Sequence, residues 1–525
     1  PILANDPHLG LRLPGVWHLV RIEAPGLTLA GATFPGAPFH ILGHNGRVAW
    51  GMTTTNADVA DLVVERLVAD HPDSYETPDG PQPITTREET IRVRGGTPVR
   101  LTVRATRHGP VVSDVLPWAA AAAPGEIVAL QATYLTADDT TADAFRRMAE
   151  AGSVAEFREA LRGFVGPPQN IHFADVTGGF GMVTAGRIPV RDDGQGWVPA
   201  EGWTARQRWR SFIPFDALPQ RMGRPYETIV NANNRVVGDS YPYFITREWD
   251  APYRARRIVE LLDAPGRHHT DASAAIMGDA RSLAAADLLP LLLPMVRGNA
   301  EAVSLLQGWD RVMDRWRPEP LIFTAWLREL TRGIFADELG DLFDEFWDLR
   351  PALVHAVLTR MPWWCDDRRT ADRREDCADQ ASDALDRAVA ALARTQGANM
   401  RAWRWGDVHS VELVPAAAAQ VPVLRDLLTT RLPVDGSYDT LNRAHMRIAD
   451  ESMPYRVVHG AGLRAIYDLS DLDSARFMIA FGQSGNPLSP HFTDLALPWR
   501  DFTWKTLGAR PRRGPPERVL ELRPR

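Results

Sequence analysis

FHILGHNGRVAWGMTTTNADVADLVVERL, residues 39–67, decides how the first part of this chain folds. Phe39–His44 and Val48–Thr54 read as strands, and Asn45-Gly46 between them is a two-residue hairpin signal, because both types tolerate the positive φ such a turn needs. After a polar loop, Leu62–Leu67 reads as a further strand. On the N-terminal side, Val16–Ala24 and Leu27–Phe34 extend the same pattern. On the C-terminal side, Thr90–Arg94 and Val99–Ala105 flank Gly95-Gly96 as another hairpin. Thr141–Glu150 and Val154–Phe164 then read as helices, followed by strands around Asn170–Phe173 and Gly181–Ile188. From Tyr253 to about Ala393 the apolar period becomes helical, with Thr270-Asp271 resembling an N-cap and stripes at Leu321–Leu330 and Ala381–Ala393. Strands return at Val457–His459, Leu463–Leu469 and Arg476–Phe481. Strand-rich 1–250, helical 251–400 and strand-rich 401–505 make an α+β fold, read as one intertwined domain in which sheets are sandwiched by helices.

The composition is that of a globular protein: 45% apolar and 24% charged over 525 residues, with 41 Pro and 40 Gly dispersed through the chain. A net charge of −7 without a basic stripe argues against nucleic acid as a partner. No apolar run approaches the roughly 18 residues of a membrane span. The two cysteines, Cys365 and Cys377, are separated by eleven residues. They are either a short-loop disulfide, which would imply export, or two independent buried thiols. Pro1 stands where an initiator Met is expected, so the chain reads as a fragment or a processed product.

Generic signatures are missing. There is no H-E-x-x-H, no Walker loop and no EF-hand loop. Gly482-Gln483-Ser484-Gly485 approaches a nucleophile elbow, but Asn486 occupies the place of the last Gly. The adjacent His268-His269 make a poor metal pair.

Nine segments, in chain order, carry a more specific signal. They are residues 1–22 (PILANDPHLGLRLPGVWHLVRI), the stretch 31–65 that shares residues 39–65 with the opening quotation, 167–181 (PPQNIHFADVTGGFG) and 186–191 (GRIPVR). Then come 202–219 (GWTARQRWRSFIPFDALP), 229–236 (IVNANNRV), 253–262 (YRARRIVELL), 437–442 (SYDTLN) and 482–495 (GQSGNPLSPHFTDL). Together they resemble the penicillin amidase family of N-terminal nucleophile hydrolases. The resemblance implies a four-layer αββα sandwich with a helical insertion. It also implies a precursor that cuts itself into a short α chain and a long β chain opening on Ser. That hydroxyl attacks the amide while its own α-amino group, with an unperturbed pKa of about 7.7–8.0, serves as base. On this reading the Ser and the α chain lie outside residues 1–525, and the chain alone is expected to be inactive.

Site residues follow by resemblance, position by position. His8, in Asn5-Asp6-Pro7-His8, matches a position that contacts the nucleophile. Asn233 matches the side-chain donor of the oxyanion hole, and a backbone N–H at Thr54 the second donor. Arg257, in Arg254-Ala255-Arg256-Arg257, matches the arginine that helps hold the catalytic Asn. Asp468 is a candidate carboxylate for orienting His8. Asn56–Asp61 resembles the family's calcium loop, with Asp58, Ala60, Asp61 and the carbonyl of Pro189 as ligands of a structural Ca²⁺. No organic cofactor is expected.

The function implied is hydrolysis of a linear amide in the periplasm or outside the cell. The expected partners are an α chain from the same precursor and a small acylated amide. Candidate cores are a β-lactam, an N-acyl homoserine lactone or an acylated lipopeptide. The alternative is a catalytically inactive homologue that binds acyl ligands without a nucleophile.

Overall fold

The computed structural model of the chain describes residues 1–508 except 117–122, 207, 265 and 417. Two compact units emerge, one formed by Pro1–Gly51 with Ala251–Arg525, the other by Met52–Asp250. The strand Val48–Thr54 carries the chain from the first into the second.

In the discontinuous unit, Ile2–Asn5 is an edge of an antiparallel sheet whose next strands are Leu463–Asp468, Arg476–Ile479 and Lys505–Thr506. Neighbouring His8–Gly10 pairs with Val457–Ala461 in a second sheet, which also holds Ser410–Leu413, Thr430–Pro433 and Ala444–Met446. The chain between residues 1 and 10 therefore contributes to two sheets. The hairpin expected at Asn45-Gly46 forms: Gly46 has φ 83°, and the Asn45 side chain accepts from the N–H groups of Arg47 (3.0 Å) and Val48 (2.8 Å). Gly51, midway along Val48–Thr54, is required by packing. A Cβ there would lie 2.6 Å from that of Asn5.

The helical part of this unit is built on Glu319–Leu339 and Cys377–Gln396. In the first, Leu321, Ile322, Trp326, Leu330 and Ile334 have no exposed surface, and apolar side chains face the core almost all round. In the second, Ala381, Ala384, Leu385, Ala388 and Leu392 repeat at helical spacing and are buried. The two helices approach closely at Gly333, where a Cβ would meet Gln380 Oε1 at 2.5 Å, and Trp326 Nε1 donates to the Ala381 carbonyl (2.8 Å). Truncating Trp326 to Ala would cost about 3–5 kcal/mol by the usual cavity rule. Cys365 and Cys377 form a disulfide at the start of the second helix.

The second unit is organised on Ala60–Val68, which pairs with Glu126–Ala132, with His71–Tyr75 and, in parallel, with Ala200–Glu201. Gln169–Asp175, Phe180–Ala185 and Gln220–Met222 form a run of antiparallel strands beside the helices Thr141–Glu150 and Val154–Ala160. The glycine hairpin forms from Thr85–Ile91 and Val99–Thr106, so its first strand begins and ends earlier than the apolar pattern places it. That strand is exposed along its length, and burial therefore leaves little trace in its sequence.

Candidate active site

In the second unit, the Asn231-Ala232-Asn233-Asn234 turn is brought against the threonine run at the end of Val48–Thr54. Asn233 has φ 62°, a left-handed conformation that Asn adopts more readily than most residues. The turn is closed by side chains: Asn231 Oδ1 accepts from Asn233 N and Asn234 Oδ1 from Ala232 N, both at 3.0 Å. Asn231 does more than local turn chemistry, because its Oδ1 also accepts from Thr53 Oγ1 (2.5 Å) and Asn170 Nδ2 (3.4 Å). Asn233 Nδ2 donates to the Thr54 carbonyl at 2.9 Å, and the Asn233 carbonyl accepts from Asp250 N at 3.1 Å. Asn233 and Thr54 are thus neighbours, with the amide plane of Asn233 fixed by contacts at both ends of the residue.

In the first unit, the strand His8–Gly10 places His8 beside a cationic group. Its Nε2 lies 3.3 Å from Asp6 Oδ2 and its Nδ1 3.5 Å from Arg254 Nη1. A guanidinium only donates, so Nδ1 is the acceptor and the ring proton sits on Nε2, facing the carboxylate. Burial pushes the His8 pKa down; Asp6 pulls it up, while Arg254 and Arg443 push it down again. The outcome is a neutral imidazole at neutral pH. Nearby His459 is held down to about 3 by burial and by the charges of Arg443, His8, His445 and Arg254.

One expectation is corrected here. Asp468 does not orient His8: it stands opposite Ile2 in the edge pair, and its Oδ1 accepts from Ser470 N (2.9 Å) and Oγ (2.6 Å). Asp6, two residues from His8, is the carboxylate in place. Arg257, matched by resemblance to the arginine that helps hold the catalytic Asn, forms a bidentate pair with Asp279 (3.0 and 2.7 Å) and reaches Glu260 (3.2 Å). The arginine that reaches His8 is Arg254, 5% exposed at the start of the helix Tyr253–Leu262. Three arginines within four positions cannot be ranked from sequence; in space they divide among His8, Asp287 and Asp279. The signal available was Asp6 itself, in the same segment as His8.

The calcium loop also departs from expectation. Asp58, Ala60, Asp61 and Pro189 lie in one unit, but both carboxylate oxygens of Asp61 are taken by Arg191, through Nε (2.9 Å) and Nη2 (2.6 Å). Trp209 Nε1 donates to the same Oδ2 at 2.7 Å, and Arg191 Nη2 also donates to the Asp58 carbonyl at 3.0 Å. Asp58 is pushed up to about 6, chiefly by burial. A cation in this loop would face a guanidinium and an indole N–H. The residues present do not fit a Ca²⁺ ion, which requires six to eight oxygen ligands. Among the described residues, no three His, Cys, Asp or Glu side chains form a metal-ligand group. No helix among them is long and apolar enough to cross a membrane.

Comparison with known proteins gives a consistent picture. Over 534 residues the chain is 30% identical to a penicillin acylase 2 proenzyme of Pseudomonas sp. (strain SE83), covering 97% of this chain and 66% of the relative. Over 538 residues it is 30% identical to the acyl-homoserine lactone acylase QuiP of Pseudomonas fluorescens (strain Pf-5), covering 97% of this chain and 64% of the relative. The chain thus spans just under two thirds of the length of these curated relatives. A solved thermostable penicillin G acylase from Alcaligenes faecalis superposes with a TM-score of 0.73 at 20% identity, over 100% of this chain and 97% of that one. The shared architecture is the α+β fold of the N-terminal nucleophile hydrolases. The penicillin amidase family model matches residues 1–513, and the protein belongs to that family.

Proposed function

We propose that this chain forms the larger part of an acylase that hydrolyses a linear amide, releasing an acyl group from an amine-bearing core. The observation that supports it most is the fixed amide of Asn233 beside Thr54. Attack on an amide carbonyl places negative charge on oxygen, and a donor held in position beforehand stabilises that charge without reorganising, by roughly 2.7–4 kcal/mol. Asn233 supplies the side-chain donor and the Thr53–Thr55 run a backbone N–H.

The nucleophile is assigned to a terminal Ser of the same precursor, contributed by residues outside 1–525, with its α-amino group as general base. The hydroxyl attacks the carbonyl carbon and its proton passes to the amine. Collapse of the tetrahedral intermediate breaks the C–N bond, and the terminal ammonium returns that proton to the leaving nitrogen. The core departs as a neutral amine, leaving an acyl ester that water opens by the same route. His8, neutral at working pH, does not add a positive charge against the terminal ammonium. The names of the two relatives favour a β-lactam or a homoserine lactone as the core, with an acylated lipopeptide as a third candidate. An α chain from the same precursor is the assigned partner. The Cys365–Cys377 bridge supports a periplasmic or secreted location.

The test is release of free amine from a penicillin and from an N-acyl homoserine lactone by the full-length, processed protein. Asn233→Ala should lower kcat by roughly 10²–10³ with an unchanged circular dichroism spectrum. An unchanged kcat would remove Asn233 from the oxyanion hole. Absence of turnover by the wild type, with acyl ligands still bound, would favour the inactive binding homologue.

A further inference from the structure

We propose that Arg191 is a cation built into the chain that ties down the Asn56–Asp61 loop without a metal ion. Arg191 ends the strand Pro189–Arg191, two residues beyond the proline whose carbonyl the family resemblance offers as a ligand. From there its guanidinium meets Asp61 edge to edge and adds a bond to the Asp58 carbonyl, so one side chain links both acidic positions of the loop. The pairing is sealed: the side chains of Arg191 and Asp61 are each 3% exposed.

Three contacts show that the guanidinium occupies the position rather than lying beside it. Trp209 Nε1 points a hydrogen at Asp61 Oδ2, which opposes coordination of a cation by that oxygen. The Trp209 backbone is opposite Arg191 in the ladder, so strand pairing holds donor and guanidinium together. Gly196, with φ 80°, closes the remaining side: a Cβ there would be 2.5 Å from Asp61 Oδ1 and 3.0 Å from Arg191 Nη2. A cage that cannot take one more carbon has no room for a hydrated or eight-coordinate ion. A planar fork also matches a carboxylate bidentately, whereas calcium would require several more oxygens.

The experiment uses the full-length protein and reads metal content and thermal unfolding, independently of activity. After purification in millimolar CaCl₂ and desalting, the wild type should carry no stoichiometric calcium by mass spectrometry. Its Tm should be the same in excess EDTA and in CaCl₂. Arg191→Met should lower Tm by roughly 10 °C, as expected for a buried carboxylate stripped of its partner. Arg187→Met, which breaks the surface pair with Asp138, should change it little. Bound stoichiometric calcium, or a wild-type Tm that EDTA lowers and CaCl₂ restores, overturns the proposal. So does an Arg191→Met protein as stable as the wild type. If that variant does not fold, the wild-type measurements still decide.

Discussion

Arg254 and Arg257 are three positions apart on one helix, and the difference between them is what each one touches. Arg254 presses its charge on His8, whereas Arg257 is balanced by Asp279. Removing Arg254 therefore takes away one of the charges that disfavour imidazolium at His8. The His8 pKa should rise, and the acid limb of the pH profile of kcat/KM in Arg254→Met should move to higher pH. Arg257→Met should leave that limb in place and cost roughly 1 kcal/mol of stability, the scale of a partly exposed pair. A profile that shifts in Arg257→Met and not in Arg254→Met would exchange the two assignments. At this scale the sequence was legible where two motifs pointed at one place, as with Thr54 and Asn233, which stand in contact. It was not legible where identical residues competed or where the partner was a carboxylate chosen by distance, as with Asp468 against Asp6. Arg191 was passed over because it sits in the same motif as Pro189, and nothing in a string shows that a side chain turns back onto a loop 130 residues earlier.

Elements were easier to place because their signals are periodic. Val48–Thr54 and Thr141–Glu150 form over the ranges expected, since one has a hairpin turn at its start and the other an amphipathic stripe. The start of Thr270–Met277 was read one residue late. Its N-cap is His269, whose Nδ1 accepts from Ala272 N at 3.4 Å, a capping partner outside the usual Ser, Thr, Asp and Asn. Cys377–Gln396 begins with two devices. Asp376 and Asp379 form a capping box, and the first residue of the helix is the disulfide cysteine. The bridge closes a loop of 12 residues, which the chain-entropy model converts to roughly 3 kcal/mol. Thiol titration of the unfolded, unreduced protein should find no free thiol. Cys365→Ser with Cys377→Ser should lose stability of that order in urea unfolding, and a double variant as stable as the wild type would dismiss the bridge as a structural tie.

For the molecule as a whole, several histidines are buried uncharged. His409 is held down to about 3, and His172 and His44 each to about 4, all chiefly by burial. In the unfolded chain each returns to about 6.5, so between that value and the folded one the unfolded state binds more protons. Stability should therefore be full above pH 6.5 and fall as the pH drops towards 4. At pH 5 the loss is about 2 kcal/mol per histidine by linkage, against a total that is commonly 5–15 kcal/mol. His459, held to about 3, adds to this, whereas the raised carboxylates Asp58, Asp348, Asp435 and Asp439 oppose it in part. Urea midpoints measured at pH 7.5 and pH 5 should differ strongly, the acid sample being weaker; equal midpoints would mean that these rings are not neutral in the fold.

The edge strand Ile2–Asn5 finds its partner at Leu463–Asp468, roughly 460 residues later in the chain. A ribosome adding about 5–20 residues per second takes on the order of 25–90 s to cover that distance. From about the middle of that interval every residue of Met52–Asp250 has been made, while Leu463–Asp468 has not. Synthesis order thus imposes a schedule: the continuous unit has all its parts long before the discontinuous one, whose strand Ile2–Asn5 waits for roughly 460 further residues.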